Sequence, residues 1–221
     1  MNKKLRIGIS QRVEHIKKYD EYRDALDQRL VDWVLFCKAM PVPIPNNLLN
    51  INSSHDINNL NINNWLNELE IDVIILSGGN NIGDVARRDS TEMSILSWAE
   101  TNRKPVLGIC RGMQMLGVYF GAKLLRIDGH AGPEIRHELQ CEDAYVLELP
   151  KIVNSYHDMA LKDCPDCYDI LATSQDDSIE AIKHKNLPWE GWMWHPERED
   201  SFNEIDKNRF KKLIFNANQQ T

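Results

Sequence analysis

The chain has 221 residues, 42% hydrophobic and 27% charged, a length and balance suited to one soluble domain spanning 1–221. Its net charge of −7 argues against a nucleic-acid partner, which needs a basic face, and leaves room for a local basic pocket that would hold one anionic substrate. No apolar run approaches membrane-spanning length and no apolar leader follows Lys3 and Lys4, which points to a cytoplasmic protein with no membrane or nucleic-acid partner.

Taken in chain order, Leu5 to Ser10 alternates into a first strand. Residues 19–40 carry Tyr22, Leu26, Leu30, Trp33, Val34 and Cys37 at helical spacing, which predicts one long helix. Pro41, Pro43 and Pro45 stop it and permit only a short extended piece near a sheet edge. Residues 46–64 hold nine asparagines, a composition that favours turns. They are read as a surface loop running into a short helix around Trp65, Leu66 and Leu69, with a disordered insertion as the competing view. Asp72 to Leu76 is a buried strand ending at Ser77-Gly78-Gly79. A helix over 90–102, capped by Asp89 or Ser90, follows with Met93, Leu96 and Trp98 inside.

Val106 to Ile109 is the next buried strand, and it stops at Cys110. Gly108 and Gly112 flank that cysteine at a spacing of two, and Met113, Leu116, Gly117 and Phe120 then continue as a helix. A strand that turns sharply into a helix at one nucleophile needs such small neighbours. The helix N-terminus favours thiolate, and the Arg111 N–H would face an oxyanion. Beyond Gly121 the pattern shifts to short strands at 123–127, 144–149, 169–173, 178–183 and 190–194. A last helix over 203–216 turns Ile205, Phe210, Leu213 and Ile214 inward. The alternation of β and α followed by β-rich closure predicts an α/β domain with a central, mostly parallel sheet, flanking helices and a β-rich C-terminal half.

A cysteine nucleophile requires a base and an orienting acid. Of seven histidines, His15, His55 and His184 read as surface residues, while His130 and His137 flank Gly132-Pro133 in a loop at a substrate mouth. His195 ends an apolar strand and precedes Pro196-Glu197, so a carboxylate can fix its tautomer. Both Cys110 and His195 stand at carboxyl ends of strands, where ligands gather in open α/β sheets. The Gly78-Gly79 pair lets a backbone N–H approach substrate closely, although a plain tight turn uses the same residues. The five cysteines form no secreted framework, and Cys164-Pro165-Asp166-Cys167 reads as a loop with two incidental thiols.

Gly-Ile-Cys-Arg-Gly-Met-Gln at 108–114, Ser-Gly-Gly at 77–79 and Trp-His-Pro-Glu at 194–197 resemble class I glutamine amidotransferases, in the stand-alone γ-glutamyl hydrolase branch. Further matches are Arg88-Asp89 with Glu92, Gly121 to Leu124, Asn154 to His157 and Ile179 to Ile182. The resemblance implies a flavodoxin-like fold and a catalytic triad of Cys110, His195 and Glu197. It assigns the oxyanion donors to Gly79 and Arg111, and the glutamyl contacts to Gln114, Ser155, Tyr156 and His157. The implied reaction hydrolyses a small γ-glutamyl amide with no metal or organic cofactor. Arg87, Arg88, Arg126 and Arg136 are the cations offered to a diphosphate-bearing substrate. Two other readings stay open: a glutaminase that feeds ammonia to a separate synthase, and a flavodoxin-like domain whose elbow cysteine senses oxidants.

Overall fold

The computed structural model describes residues 4–48, 55–142, 145 and 147–218. Seven strands form its central sheet: β1 (Arg6–Ser10), β4 (Met40–Ile44), β5 (Val73–Leu76), β6 (Val106–Ile109), β11 (Tyr168–Thr173), β12 (Ile179–His184) and β13 (Trp189–Trp192). Their order across the sheet is β11-β12-β13-β6-β5-β1-β4. From β13 through β6, β5 and β1 to β4 the pairing is parallel, and β12 and β11 extend that sheet antiparallel. The mostly parallel α/β sheet expected from the sequence is therefore present.

Strands buried on both faces are continuously apolar. In β5, Val73 and Ile75 join a core with Leu30, Trp33 and Phe210. Ile74 and Leu76 point the other way, into a core with Ile62, Leu66, Leu96 and Leu116. Helices α1 (Gln28–Phe36) and α5 (Glu204–Asn218) contribute to the first core; α2 (His55–Glu68), α3 (Ala86–Thr101) and α4 (Arg111–Tyr119) contribute to the second. Two-stranded pairs flank the sheet: β2 (Arg12–Ile16) with β3 (Glu21–Ala25), β7 (Leu124–Arg126) with β10 (Met159–Leu161), and β8 (Ala131–Glu138) with β9 (Ile152–Tyr156). No helix among the described residues is long and apolar enough to cross a membrane.

Several expectations are corrected. Only 28–36 of the long helix predicted over 19–40 is helical; 21–25 is a strand paired to 12–16, where Tyr22 faces His15 in a stacked contact of 4.3 Å. Tyr22 is exposed, so its agreement with the helical period is coincidental. The helix expected around Trp65 begins at His55, and residues 49–54 of the asparagine-rich stretch lie outside the described residues. Helix α3 starts at Ala86, after Val85, with no side-chain cap from Asp89 or Ser90. The strand expected at 144–149 is a turn where it is described, with Glu148 and Leu149 N–H both bonding back to the Tyr145 carbonyl. Ile205 points outward, and His184 is buried against Phe120, Tyr168 and Trp189. His130 precedes β8 and His137 lies within it, so the two do not share a simple loop. The edge expected at the prolines is real: β4 pairs with β1 alone, and the Met40 N–H donates to the Leu5 carbonyl at 2.8 Å.

Helix α4 lies hard against the sheet. A Cβ on Gly112 would collide with the Leu76 carbonyl oxygen, and one on Gly108 would stand 2.5 Å from the Gly112 carbonyl carbon. Gly112→Ala should therefore destabilise the protein by about 3 kcal/mol, since backbone cannot yield as a side chain would. A lowered urea midpoint at unchanged slope is the expected observation, and an unchanged midpoint would contradict this packing.

Candidate active site

Strand β6 delivers Cys110 to the rim of the sheet. Its backbone has φ 52 and ψ −107, a conformation rare for a residue with a Cβ and costing on the order of 1–3 kcal/mol. The conformation is held by the Cys110 N–H donating to the Trp192 carbonyl at 2.7 Å and by the start of α4 immediately afterwards. The first N–H groups of that helix have no intrahelical acceptor. They and the helix dipole face the position where the thiol stands.

His195 follows β13 on the neighbouring strand. Asn154 fixes its backbone from both sides: its Oδ1 accepts from the His195 N–H at 2.9 Å, and its Nδ2 donates to the His195 carbonyl at 2.8 Å. The imidazole edge rests on Gly78, where a Cβ would lie 2.7 Å from His195 Cε1. The Tyr156 ring meets it edge-on at 5.6 Å. Pro196 opens a short 3-10 turn that brings Glu197 back, and its Oε1 lies 2.6 Å from His195 Nδ1. The Cys110 sulfur adds to the field that favours charge on the ring. Burial opposes a charge on His195, but the Glu197 carboxylate and the Cys110 sulfur outweigh it and raise the imidazole pKa to about 9.

The turn after β5 is set by charge beneath it. Arg88, fully buried, donates to the carbonyls of Ser77 at 2.7 Å, Gly78 at 3.1 Å and Gly79 at 2.5 Å. Because the trans peptide points its N–H opposite to its C=O, binding of the Gly78 carbonyl turns the Gly79 N–H away from the guanidinium. Gly79 itself has φ +87. Glu92 pairs with Arg88 at 3.0 Å and with Arg111, and accepts the Ser10 hydroxyl at 2.8 Å. Asp89 holds the other arm of Arg111. Burial pushes the Glu92 pKa up; the two guanidinium groups and the Ser10 hydroxyl overcome it and hold the carboxyl below its ordinary value.

A pocket of about 250 Å³ opens over the thiol. Of the residues singled out from the sequence, Gly79, Cys110, Arg111, Gln114, Tyr156 and His157 line it, and Asn80, Asn81 and Asp158 join them. His195 and Glu197 do not line this pocket; with Gly78, Arg12 and Arg198 they border a small neighbouring cavity, bonded to each other at 2.6 Å. Ser155 does not reach the pocket. Its hydroxyl is fully buried and donates to the His130 carbonyl at 2.5 Å, bracing the turn. The Gln114 side-chain Nε2 donates to the Met159 carbonyl at 2.8 Å, which leaves its Oε1 for the pocket. His130 and His137 stand away from the mouth and pack with His157. Arg88 is consumed by the turn, Arg126 and Arg136 pair with Asp158 and Glu199, and Arg87 bonds Asn47. Arg87 also lines a second cavity of about 350 Å³ with Val13, Tyr22, Asp24, Asn47 and Val85. Sequence reasoning missed the positioning role of Asn154 and of the Arg88–Glu92–Arg111 cluster; buried polar residues spaced to meet strand ends were the available signal.

The chain matches the family described as glutamine amidotransferase class-I over residues 16–213. It is 31% identical to the γ-glutamyl-CDP-amidate hydrolase of Campylobacter jejuni over 90% of this chain and 93% of that one. It is also 31% identical to a component of the glutamine-hydrolysing GMP synthase of Methanococcus vannielii, over 64% of this chain and 72% of that one. A crystal structure from Thermoplasma acidophilum, of a candidate GMP synthase component, superposes with a TM-score of 0.70 at 19% identity, covering 100% of this chain and 97% of that one.

The charge balance at His195 is directly measurable. NMR titration should place its midpoint near 9 in the native protein, and Glu197→Gln should lower it as burial gains on the remaining support from the Cys110 sulfur. An unmoved midpoint would show that Glu197 does not support the imidazolium.

Proposed function

The chain belongs to the glutamine amidotransferase class-I family and hydrolyses amide C–N bonds, and we propose that its substrate is a γ-glutamyl amide carrying a nucleotide, γ-glutamyl-CDP-amidate. The products would be L-glutamate and cytidine diphosphoramidate, a source of phosphoramidate for capsular polysaccharide modification. What supports this reading is a strained cysteine facing an open pocket at the end of one strand, with His195 and Glu197 bonded at 2.6 Å at the end of the adjacent strand, beside 31% identity to a γ-glutamyl-CDP-amidate hydrolase.

The Cys110 thiolate adds to the δ-carbonyl carbon of the glutamyl group, and the carbonyl π electrons move to oxygen. The Gly79 and Arg111 N–H groups receive that oxyanion, each donor contributing about a hundredfold or more to turnover. As the tetrahedral adduct collapses, imidazolium His195 gives its proton to the departing nitrogen, the C–N bond breaks and a thioester remains. Neutral His195 then takes a proton from water, hydroxide adds to the thioester, and glutamate leaves as the thiolate is restored. Glu197 keeps the ring in the tautomer both steps need. Gln114, Tyr156 and His157 line the glutamyl end.

The second cavity supports a bulky leaving group. It lies on the same segment, since Asn80 and Asp84 reach the first pocket and Val85 and Arg87 the second. Arg87 there offers a cation to a diphosphate and Tyr22 a ring to a base. The glutaminase alternative draws on the similarity to the GMP synthase component, which spans less of this chain. No feature favours an oxidant sensor, which would have no use for His195 aligned on Glu197.

Purified protein without any partner should hydrolyse γ-glutamyl-CDP-amidate at a far higher kcat/KM than glutamine, measured by glutamate release. The reverse order would replace this reading with the glutaminase one. Cys110→Ala should lower kcat/KM about 10⁴-fold or more at unchanged thermal midpoint, and retention of parental turnover would refute the nucleophile assignment.

A further inference from the structure

Behind the pocket wall, the loop before β8, β8 itself, the turn after β9 and the start of β12 bring His130, His137, His157 and Glu180 together. One ligand atom from each lies within 4.8 Å of every other. His130, His157 and Glu180 are 3%, 4% and 0% exposed, and His137 is half-buried. His130 Nδ1, His137 Nε2, His157 Nε2 and both Glu180 oxygens are buried without a hydrogen-bond partner. Five orphaned polar atoms in one place call for an occupant, because each costs free energy when left unpaired.

The hydrogen bonds on the far side of the rings set which nitrogens face inward when the rings are neutral. The Met159 carbonyl can only accept, so His157 Nδ1, 3.1 Å away, carries a proton. Asp176 lies 2.8 Å from His130 Nε2 and accepts a hydrogen bond from it. In the neutral rings, His157 Nε2 and His130 Nδ1 then present bare lone pairs to the Glu180 carboxylate, each at 3.6 Å. That distance is too long for a hydrogen bond. It is close to the spacing of about 3.4 Å between ligand atoms around a tetrahedral zinc bound at 2.0–2.1 Å. The remaining separations are no longer than 4.8 Å. Outer-shell carboxylate and carbonyl partners that fix imidazole tautomers are the usual companions of zinc-bound histidine.

We propose that His130, His137, His157 and Glu180 form a closed, four-ligand site for a structural zinc ion. Three neutral imidazoles, one ligating carboxylate and the outer Asp176 carboxylate leave a dication electrically balanced. The ion takes no part in bond cleavage: all four positions belong to protein, and the thiol mechanism needs none. Its effect is to fasten the β8–β9 pair to β12, and so to hold the Ser155–His157 turn that forms one wall of the pocket. The sequence reading, which required no metal for the reaction, did not join these residues because they lie far apart in the chain. This inference is independent of the substrate assignment.

Elemental analysis of the full-length protein purified from zinc-supplied cells should give about one zinc per chain. Chelator-treated protein should regain thermal midpoint on adding Zn²⁺, and on adding Co²⁺ should develop the visible bands of a tetrahedral site. His137→Ala and Glu180→Gln should lose the metal and the Zn²⁺-dependent midpoint rise, while the Cys164→Ser/Cys167→Ser double variant keeps both. Asp176→Asn, which leaves the ligands in place, should weaken Zn²⁺ binding about ten- to a hundredfold and covers the case in which a ligand variant fails to fold. Wild-type protein with no bound zinc and no response to Zn²⁺ or Co²⁺ would overturn the proposal. So would zinc that survives His137→Ala and vanishes with the two cysteines, or NMR evidence in the presence of Zn²⁺ that His130 and His157 are doubly protonated.

Discussion

The Glu92 carboxylate, wholly out of water, lies between the guanidinium groups of Arg88 and Arg111, and the rim of the candidate site is assembled around that contact. Each partner belongs to a different part of the rim. Arg88 grips three successive carbonyls of the turn after β5, Arg111 opens the helix after Cys110, and Ser10 at the end of β1 closes the set. A buried ion pair is weak evidence for added stability, but removing one member strands the others at a cost of about 3–5 kcal/mol. The cluster therefore acts as a geometrical lock: strand ends, turn and helix must meet in one arrangement for every charge to be matched.

The same logic runs through the imidazole side of the site. Asn154 secures the His195 backbone, Gly78 leaves room for the ring edge, and Glu197 supports its charge. Arg198 lies over the Tyr156 ring at 4.5 Å and steadies the aromatic that meets His195 edge-on. Little in this arrangement has to reorganise when charge develops on a substrate, which is the condition under which fixed dipoles lower a barrier most.

What the sequence made legible follows from how strongly each segment is constrained. The parallel strands are apolar on both faces, so β5 and β6 stand out wherever they are read. The glycines around Cys110 are dictated by van der Waals contact with the sheet, and Glu197 by its nearness in the chain to His195. The β2–β3 hairpin is hidden because its exposed faces carry mixed residues, Tyr22 among them, that happen to fall at helical intervals. Likewise β8 is largely exposed and polar, so no alternation marks it, and the three histidines around it look unrelated in the linear chain. Ser155 fits a motif yet spends its hydroxyl on a carbonyl, a choice only the folded backbone reveals.

The prolines of β4 have a consequence beyond ending a helix. In this strand Met40 donates its N–H inward to Leu5, so Pro41 and Pro43, which alternate with it, occupy the positions whose N–H groups would face outward. Neither possesses one. The open margin of the sheet is thus stripped of donors at two consecutive outward sites, and a foreign strand laid alongside finds nothing there to accept from. The ring nitrogens of Pro41 and Pro43 end the lattice of hydrogen bonds covalently at this border.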